Sequence, residues 1–373
     1  MTHPQNSTQK LLKNEIIKQK LLTKFTKTMK TTLTTTILTF FFFIIAHTQP
    51  SLSINGFADT YWKYDFAERE NIGTYFANDH NSISLGMLGL GLQAQAGKAS
   101  LTTEVSFGPR GQYLSIPQGD SNDPSNDFNI QNLYVQYMLT NRLSLTAGYI
   151  GTFVGYEVIS PASNFHYSTS YLFGAGPFQN AGLKARYTFT DAFSLMAGIF
   201  NDWNVYQDLN GPSHFGAQLT VSPSSTFVTN LNILTGRGTD GDEDYSSGTL
   251  LDLVLNWTLT PKFSLGGNVA SYWRAIDGGY HGVAAYPQYR LSDAFALGLR
   301  TEYFEMKKTA DTNSKSYLSA TLSGNFKHGG LTFIPELHLD NSQGATFMNK
   351  SGEAVRNASQ FSIAAVYAFK MDR

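Results

Sequence analysis

Apolar and polar residues alternate with a period of two through most of this 373-residue chain. From Leu183 to Phe189, and again from Phe193 to Ile199, every second residue is apolar or aromatic. This period is that of a β-strand whose two faces meet different surroundings. Sixteen such runs follow Ser53, at residues 54–66, 82–95, 98–108, 129–139, 142–151, 178–190, 192–202, 213–222, 225–236, 246–259, 262–274, 281–291, 293–306, 316–327, 331–340 and 359–370.

The connections between these runs are alternately short and long. Seven are tight and rich in the Gly, Asn, Asp and Pro that hairpins need, at residues 96–97, 140–141, 190–191, 223–224, 260–261, 292–293 and 328–330. Eight are longer and polar, at residues 67–81, 109–128, 152–177, 203–212, 237–245, 275–280, 307–315 and 341–358. Successive turns of an up-and-down sheet lie at opposite ends, so all the short turns are expected at one rim. Transmembrane barrels have this asymmetry, with short periplasmic turns and long extracellular loops.

The composition favours lipid as the surrounding of the apolar face. Charged residues make up 15% of the chain and aromatic residues 14%, whereas an average soluble domain has ~25% charged residues. We therefore predict an all-β fold, a transmembrane up-and-down antiparallel β-barrel of about 16 strands. Fourteen or eighteen strands are alternatives, because Pro287 and Pro335 fall inside runs and each removes a ladder donor. A secreted soluble β-protein, with the apolar face on a core, is the other interpretation.

The N-terminal segment has the pattern of a secretory signal. Lys24, Lys27 and Lys30 precede an apolar and threonine-rich run at residues 33–46, which is short for a spanning helix. We predict a cleaved signal in residues 1–49, with 1–28 as an upstream extension, and one barrel domain in residues 50–373. An uncleaved N-terminal anchor is the alternative. Export of a barrel predicts the bacterial outer membrane, and the net charge of −1 predicts no general attraction to nucleic acid.

Three segments resemble a known family. They are INGFADTYWKYDF (54–66), NDHNSISLGMLGLGLQAQ (78–95) and GYIGTFVGYEVISPASNFHYSTSYLFGAGPFQNAGLKARYTF (148–189). In these motifs the chain resembles the β-barrel porin-2 family, the OmpL-like outer membrane proteins, mainly over residues 54–205. The resemblance implies an outer membrane barrel that conducts small solutes and has no defined catalytic chemistry. The C terminus departs from the general outer-membrane pattern, since the last aromatic residue, Phe369, lies four residues before the end.

Charged residues within the strands are expected to face a wet lumen, because a charge facing the middle of the bilayer costs ~2–4 kcal/mol. Such charges set an ion preference only if water passes between them. The alternative is that they pair across the barrel and fill it. The pore-lining candidates are Asp59, Lys63, Asp65, Glu104, Lys184, Arg186, Arg290, Arg300, Glu302, Glu336 and His338.

The longest connection, residues 152–177, follows the fifth run. One interpretation is that it folds inward and narrows the pore, so that its side chains meet the permeating solute. The other is that the same side chains fix the loop on the barrel wall through hydrogen bonds. The constriction-loop candidates are Tyr156, Glu157, Asn164, His166 and Tyr167.

No motif predicts an enzyme, a cofactor or a dedicated metal site. The acidic runs at residues 240–244 and 120–127 resemble half of a calcium loop, and a solvated outer loop explains them better. The neighbouring pairs His166 with Ser168 and Ser213 with His214 lack the Gly-x-Ser-x-Gly nucleophile turn of hydrolases.

The sequence thus predicts an outer membrane porin that allows passive diffusion of small hydrophilic solutes through a water-filled barrel narrowed by an inward loop. The alternative is a closed or narrow barrel that presents extracellular loops for ligand or surface binding. The expected partners are outer membrane lipid, lipopolysaccharide and small solutes, and assembly as a homotrimer is compatible with the pattern.

Overall fold

The computed structural model describes residues 51–73, 75–112, 129–205, 207–208 and 210–373. The predicted signal segment 1–49 and the acidic run 120–127 lie outside these residues. A closed antiparallel barrel takes up most of the described chain. Its strands are β1 (Ser51–Asp65), β2 (Ile83–Ala96), β3 (Ala99–Phe107), β4 (Asn129–Met138), β5 (Leu143–Gly151), β6 (Gln179–Thr190), β7 (Phe193–Phe200), β8 (His214–Ser224), β9 (Phe227–Gly236), β10 (Gly248–Thr258), β11 (Phe263–Arg274), β12 (Gly279–Arg290), β13 (Phe295–Met306), β14 (Lys315–His328), β15 (Leu331–Ser342) and β18 (Asn357–Asp372).

The remaining elements are short and lie in the long connections. A two-stranded hairpin, β16 (Phe347–Met348) with β17 (Ala354–Val355), precedes β18. The helices are α1 (Pro109–Gln112) and α2 (Tyr171–Ala175), and a 3-10 turn spans Pro161–Ser163. Within the described residues, no helix is long and apolar enough to cross a membrane.

Each barrel strand pairs with its neighbours in the chain, and β18 pairs with both β15 and β1 to close the sheet. The predicted sixteen-stranded up-and-down barrel is therefore confirmed. The start of β1 and the end of β18 meet at the rim of the short turns, where the Leu52 N–H donates to the Arg373 carbonyl at 3.1 Å and the Arg373 N–H donates back at 2.7 Å. An even strand number places both ends there, and closure leaves no unpaired edge to meet lipid.

The period-two pattern decides which face looks inward. On β13, Arg300, Glu302 and Phe304 are at most 3% exposed, whereas Leu299 and Tyr303 between them are 37% and 38% exposed. The apolar phase thus forms the outer surface and the polar phase fills the inside, as in transmembrane barrels.

Both prolines within strands sit where one ladder is interrupted. Pro287 pairs with Leu265 of β11, but the register from β12 to β13 jumps from Ala285 to Gln288. Pro335 likewise pairs with β18, while the register from β14 to β15 has a gap at this position. The missing N–H of each proline therefore falls on the side that forms no ladder bond, so both are tolerated without breaking the barrel.

The interior between β7 and β13 is packed with aromatic side chains rather than left open. Tyr272, Tyr280 and Phe304 lie together at the ends of their strands that face the long loops, and Phe200 and Leu250 join the same cluster. Because these side chains belong to the inward phase, one part of the barrel lumen is filled with protein.

Candidate functional site

The loop at residues 152–178, between β5 and β6, lies against the inward faces of the barrel strands. Its peptide groups and side chains bond to inward side chains of β1, β8, β10, β13, β14 and β15. Within the loop, Asn164 exchanges two hydrogen bonds with the backbone of Val158, at 2.6 and 3.0 Å, which hold its bend. The loop therefore occupies the lumen as a shaped insert.

A buried ion pair fixes the middle of the loop. The Arg300 Nη1 of β13 lies 2.8 Å from Glu157 Oε1, and both side chains are at most 3% exposed. Ser170 donates to the other carboxylate oxygen from its N–H, at 2.7 Å, and from its hydroxyl. Arg300 also donates to the Ser168 carbonyl at 2.6 Å and to Thr321 Oγ1 at 3.1 Å. These bonds compensate the Glu157 carboxylate and both terminal nitrogens of Arg300, while Arg300 Nε has no partner among the described residues.

Two glutamates of the barrel wall bind backbone N–H groups of the loop. Glu336 accepts from the N–H groups of Tyr167 at 3.0 Å and Ser168 at 3.3 Å. Glu302 accepts from Tyr171 at 2.9 Å and Leu172 at 2.8 Å, the first residues of α2. A carboxylate at this end satisfies N–H groups that have no partner within the helix.

Two loop tyrosines donate to aspartates of the wall. The Tyr167 hydroxyl donates to Asp59 on β1 and the Tyr171 hydroxyl donates to Asp340 on β15, both at 2.5 Å. Burial raises the pKa of Tyr167 and of Tyr171 well above the usual value. Both phenols therefore remain protonated donors, and they tie the loop to the wall on either side of β18.

His166 is buried and neutral. Its Nδ1 lies 2.8 Å from the Ser323 hydroxyl on β14, and that hydroxyl donates to Glu336. Burial holds the pKa of His166 well below its usual value, and the nearby charges of Arg300 and His338 act in the same direction. His166 thus takes part in packing the loop as an uncharged side chain.

Glycines on the inward face make room for loop aromatics. Tyr156 stacks on Tyr286 with ring centroids 4.2 Å apart, and a Cβ added at Gly266 would lie 2.3 Å from the Tyr156 ring. A Cβ at Gly298 would lie equally close to Phe165. The loop rings therefore lie directly on the backbone of the wall.

The family model described as "Putative beta-barrel porin-2, OmpL-like" matches residues 51–369. The chain belongs to this porin family. Its inserted loop and polar interior are thus features of an outer membrane barrel. No curated protein matches the sequence significantly.

Solved structures of outer membrane channels share the fold of this porin. The outer membrane channel DcaP of Acinetobacter baumannii is 11% identical, with a TM-score of 0.59 over 86% of this chain and 97% of that one. The trimer form of OmpT of Vibrio cholerae is 14% identical, with a TM-score of 0.58 over 86% and 99%. OprB of Pseudomonas putida is 13% identical, with a TM-score of 0.56 over 86% and 94%. Identities this low establish a common architecture.

The charged candidates of this porin divide into three groups. The first group, Asp59, Arg300, Glu302 and Glu336, holds the loop as described above. Glu104 on β3, and Lys184 and Arg186 on β6, are partly exposed and do not contact the loop through any hydrogen bond between described residues.

The other candidates lie nearer the rims or beside the loop contacts. Lys63 and Asp65 are buried at the long-loop end of β1, where Asp65 accepts from the Ala67 N–H at 2.8 Å. Arg290 is exposed at the short-turn end of β12. His338 lies 2.8 Å from Asp340 and so supports the Tyr171 contact. Whether any of these residues meets a permeating solute remains a prediction.

Sequence analysis missed several residues of this site, among them Arg110 and Asp252. Arg110, on α1, donates to the Ile159 carbonyl at 3.3 Å, and its guanidinium lies 4.8 Å from the Tyr167 ring centroid. Asp252 on β10 accepts from the Gly155 N–H at 3.1 Å. Asp252 had a signal, since it is the one charge in an otherwise apolar strand; Arg110 had none, because it lies in an irregular connection.

The remaining sequence candidates adopt other arrangements. Asp242 pairs with Arg237 at 3.1 Å and Asp244 accepts from Ser246, so these carboxylates do not converge. Among the described residues, no cluster of three or more His, Asp or Glu side chains could hold a metal ion. His214 contacts Ser213 through Nδ1, and its Nε2 contacts the Ser246 carbonyl. A catalytic triad would instead link the hydroxyl and the acid through opposite ring nitrogens.

Proposed function

We propose that this protein lets small hydrophilic solutes diffuse across the bacterial outer membrane through a passage beside the loop at residues 152–178. The observation that carries the proposal is the attachment of this loop to inward side chains of six barrel strands. A loop held in this way narrows the barrel at a fixed width, and a fixed width excludes solutes by size.

The passage follows the part of the wall that the loop leaves uncovered. The loop contacts run from β8 to β15 and on to β1. The inward side chains of β3 to β6 include the partly exposed Glu104, Gln136, Lys184 and Arg186. Partly exposed polar groups line water, so this side of the lumen offers the hydrated route.

The second candidate function is a narrow barrel that serves as a mount for extracellular binding loops. The tight aromatic filling around Tyr272, Tyr280 and Phe304 favours it, because a filled lumen conducts little. The two functions differ in conductance, since a mount gives no stable current steps.

We further propose that residues 33–46 direct export and that residues 1–49 are removed. The mature barrel then sits in outer membrane lipid with its long loops facing lipopolysaccharide. A homotrimer is proposed by analogy with the trimer form of OmpT, whose fold is similar. Cross-linking of the purified barrel in mild detergent tests the oligomeric state, and N-terminal sequencing tests the cleavage.

Recordings from single channels in planar bilayers test the diffusion function. We expect stable current steps from the wild-type barrel and larger steps after deletion of residues 156–172. Deletion exposes Arg300 and Glu302 to water in the widened lumen, so it leaves no charge buried without a partner. Blockage by neutral polymers of increasing size measures the width of the two passages. A silent wild type with a conducting deletion variant would support a barrel closed by its loop, and silence of both would support the mount.

A further inference from the structure

Two cations face the uncovered side of the lumen without a carboxylate beside them. Lys184 and Arg186 are both in the inward phase of β6, two residues or about 6.8 Å apart along the strand. Both are partly exposed. Their neighbours directly across on β5 and β7 are uncharged, namely Ser144, Thr146, Met196 and Gly198.

The side-chain partners of these cations leave their charge uncompensated. Arg186 donates to Ser194 Oγ at 2.9 Å and to Gln218 Oε1 at 2.5 Å, which are neutral acceptors. Lys184 has no salt bridge or side-chain hydrogen bond among the described residues. Its partly exposed ammonium therefore relies on lumen water.

The buried acidic groups of the lumen are on other strands and on the loop, and Asp252 on β10 is linked to Arg186 only through the amides of Gln218 and Asn232. Each is at most 6% exposed and is bonded to the protein, by Arg300, by loop N–H groups, by tyrosine hydroxyls or by asparagine amides. These groups include Asp59, Glu157, Asp252, Glu302, Glu336 and Asp340. Water, and an ion moving in it, is kept away from them by the loop.

The face that the loop turns towards solvent carries no charge. Its exposed side chains are Val158, Ala162 and Ser163, while Glu157 and His166 are buried. The loop therefore does not balance the two cations across the passage.

Glu104 is the remaining partly exposed carboxylate on this side, and it lies far from Lys184. Glu104 pairs in register with Asn132, whereas the row of Lys184 runs through Thr146 and Gln136 to Ser100. The two residues are thus three strands and four residues apart, or roughly 20 Å along the wall. That distance is about two Debye lengths at 0.1 M salt, so Glu104 hardly screens Lys184.

We infer that the passage prefers small anions, and that Lys184 with Arg186 sets this preference. The inference rests on the proposed diffusion function and names its solute class as small hydrophilic anions, including chloride and carboxylates. The lumen as a whole carries more acidic than basic groups, so the preference depends on how far each charged group lies from the permeating ion. The two cations lie next to the water that an ion crosses, and the acids lie behind the loop.

The expected preference follows from Coulomb's law. Two positive charges about 8 Å from an ion in water, screened at about 0.1 M salt, favour an anion over a cation about fivefold. The measurement is the zero-current potential of single channels across a tenfold KCl gradient in a planar bilayer. The variant Lys184→Gln with Arg186→Gln should bring the chloride-to-potassium permeability ratio close to one, or below it.

Two variants serve as controls for fold and charge. Lys184→Arg with Arg186→Lys keeps both charges and should keep the wild-type ratio. Lys262→Gln removes an exposed charge from the turn between β10 and β11 and should change the ratio little. The heat-induced shift in gel mobility shows that each barrel is folded.

The outcomes separate the inference from the function on which it rests. Current steps whose zero-current potential indicates a preference for cations would overturn the inference. An anion preference that is unchanged in the double glutamine variant would also overturn it. Either result would leave the proposed diffusion function standing. Absence of current steps from every folded variant would instead reject diffusion through the barrel, and with it the inference.

Discussion

Replacing Arg300 by methionine should release the inserted loop from the wall. In the wild type, Arg300 donates to Glu157 at 2.8 Å, to the Ser168 carbonyl at 2.6 Å and to Thr321 at 3.1 Å, and its side chain is fully buried. Methionine fills similar volume but donates nothing. Glu157 would then be a buried carboxylate without a cation.

Removal of one partner from a buried ion pair costs about 3–5 kcal/mol, because the other charge is left uncompensated. At 3 kcal/mol, the equilibrium between docked and released loop shifts about 150-fold towards release. The double variant Glu157→Gln with Arg300→Met leaves no buried charge of the pair, so we expect it to dock the loop better than Arg300→Met alone.

Two measurements follow the loop. Chymotrypsin cleavage at Tyr167 and Tyr171, in detergent where the barrel stays folded, should be faster in Arg300→Met than in the wild type, with the double variant between them. Single-channel conductance should rise in the same order. Arg290→Met, at the exposed rim, is the matched control and should leave both unchanged. If Arg300→Met docks as well as the wild type, or no worse than the double variant, the ion pair does not hold the loop.

Three further perturbations test other contacts of the loop. Burial holds the pKa of His166 low, so His166 takes up a proton in the released loop but not in the docked loop. Docking should therefore weaken, and conductance should rise, as the pH falls below about 6.5. The variant His166→Gln should remove this pH dependence. In the variant Gly266→Ala, the added Cβ would lie 2.3 Å from the Tyr156 ring, which should lower the stability of the docked loop by about 1–3 kcal/mol. In the control Gly267→Ala, the nearest contact of the Cβ is at 3.5 Å, so the stability should not change. Thermal unfolding and conductance measurements compare the two variants. Glu302→Gln leaves one loop N–H without its carboxylate oxygen and should weaken docking by about 1–3 kcal/mol, measured by proteolysis, and equal cleavage rates would contradict the role of Glu302.

The barrel was predictable because the residue pattern within each strand shows which side chains face lipid and which face the lumen. Alternation on β6 and β7 shows which side chains point outward, and the register of neighbouring strands follows from matching those faces. The turn residues then fix where each hairpin reverses. Pro287 and Pro335 made the strand number uncertain, since whether a missing N–H matters depends on which neighbouring strand pairs at that position.

The position of the loop was predictable, but the partners of its side chains were not. Its length and its place after the fifth strand are properties of the chain. Which carboxylate Arg300 would meet is not, because Glu157 lies 143 residues away and several acids share the inward phase. The role of Gly266 was equally unpredictable, since it makes room for the Tyr156 ring, which comes from a distant part of the chain.

The sequence by itself determined the up-and-down architecture, the inner and outer faces of the strands and the rim at which each turn lies, because these depend on residues close together in the chain and on the contrast between lipid and water. Only the tertiary structure decided which inward charges are sealed beneath the loop and which remain beside water. Closing the barrel brings side chains from distant strands around one loop, and the pairs that form there depend on distances across the lumen that no local pattern encodes.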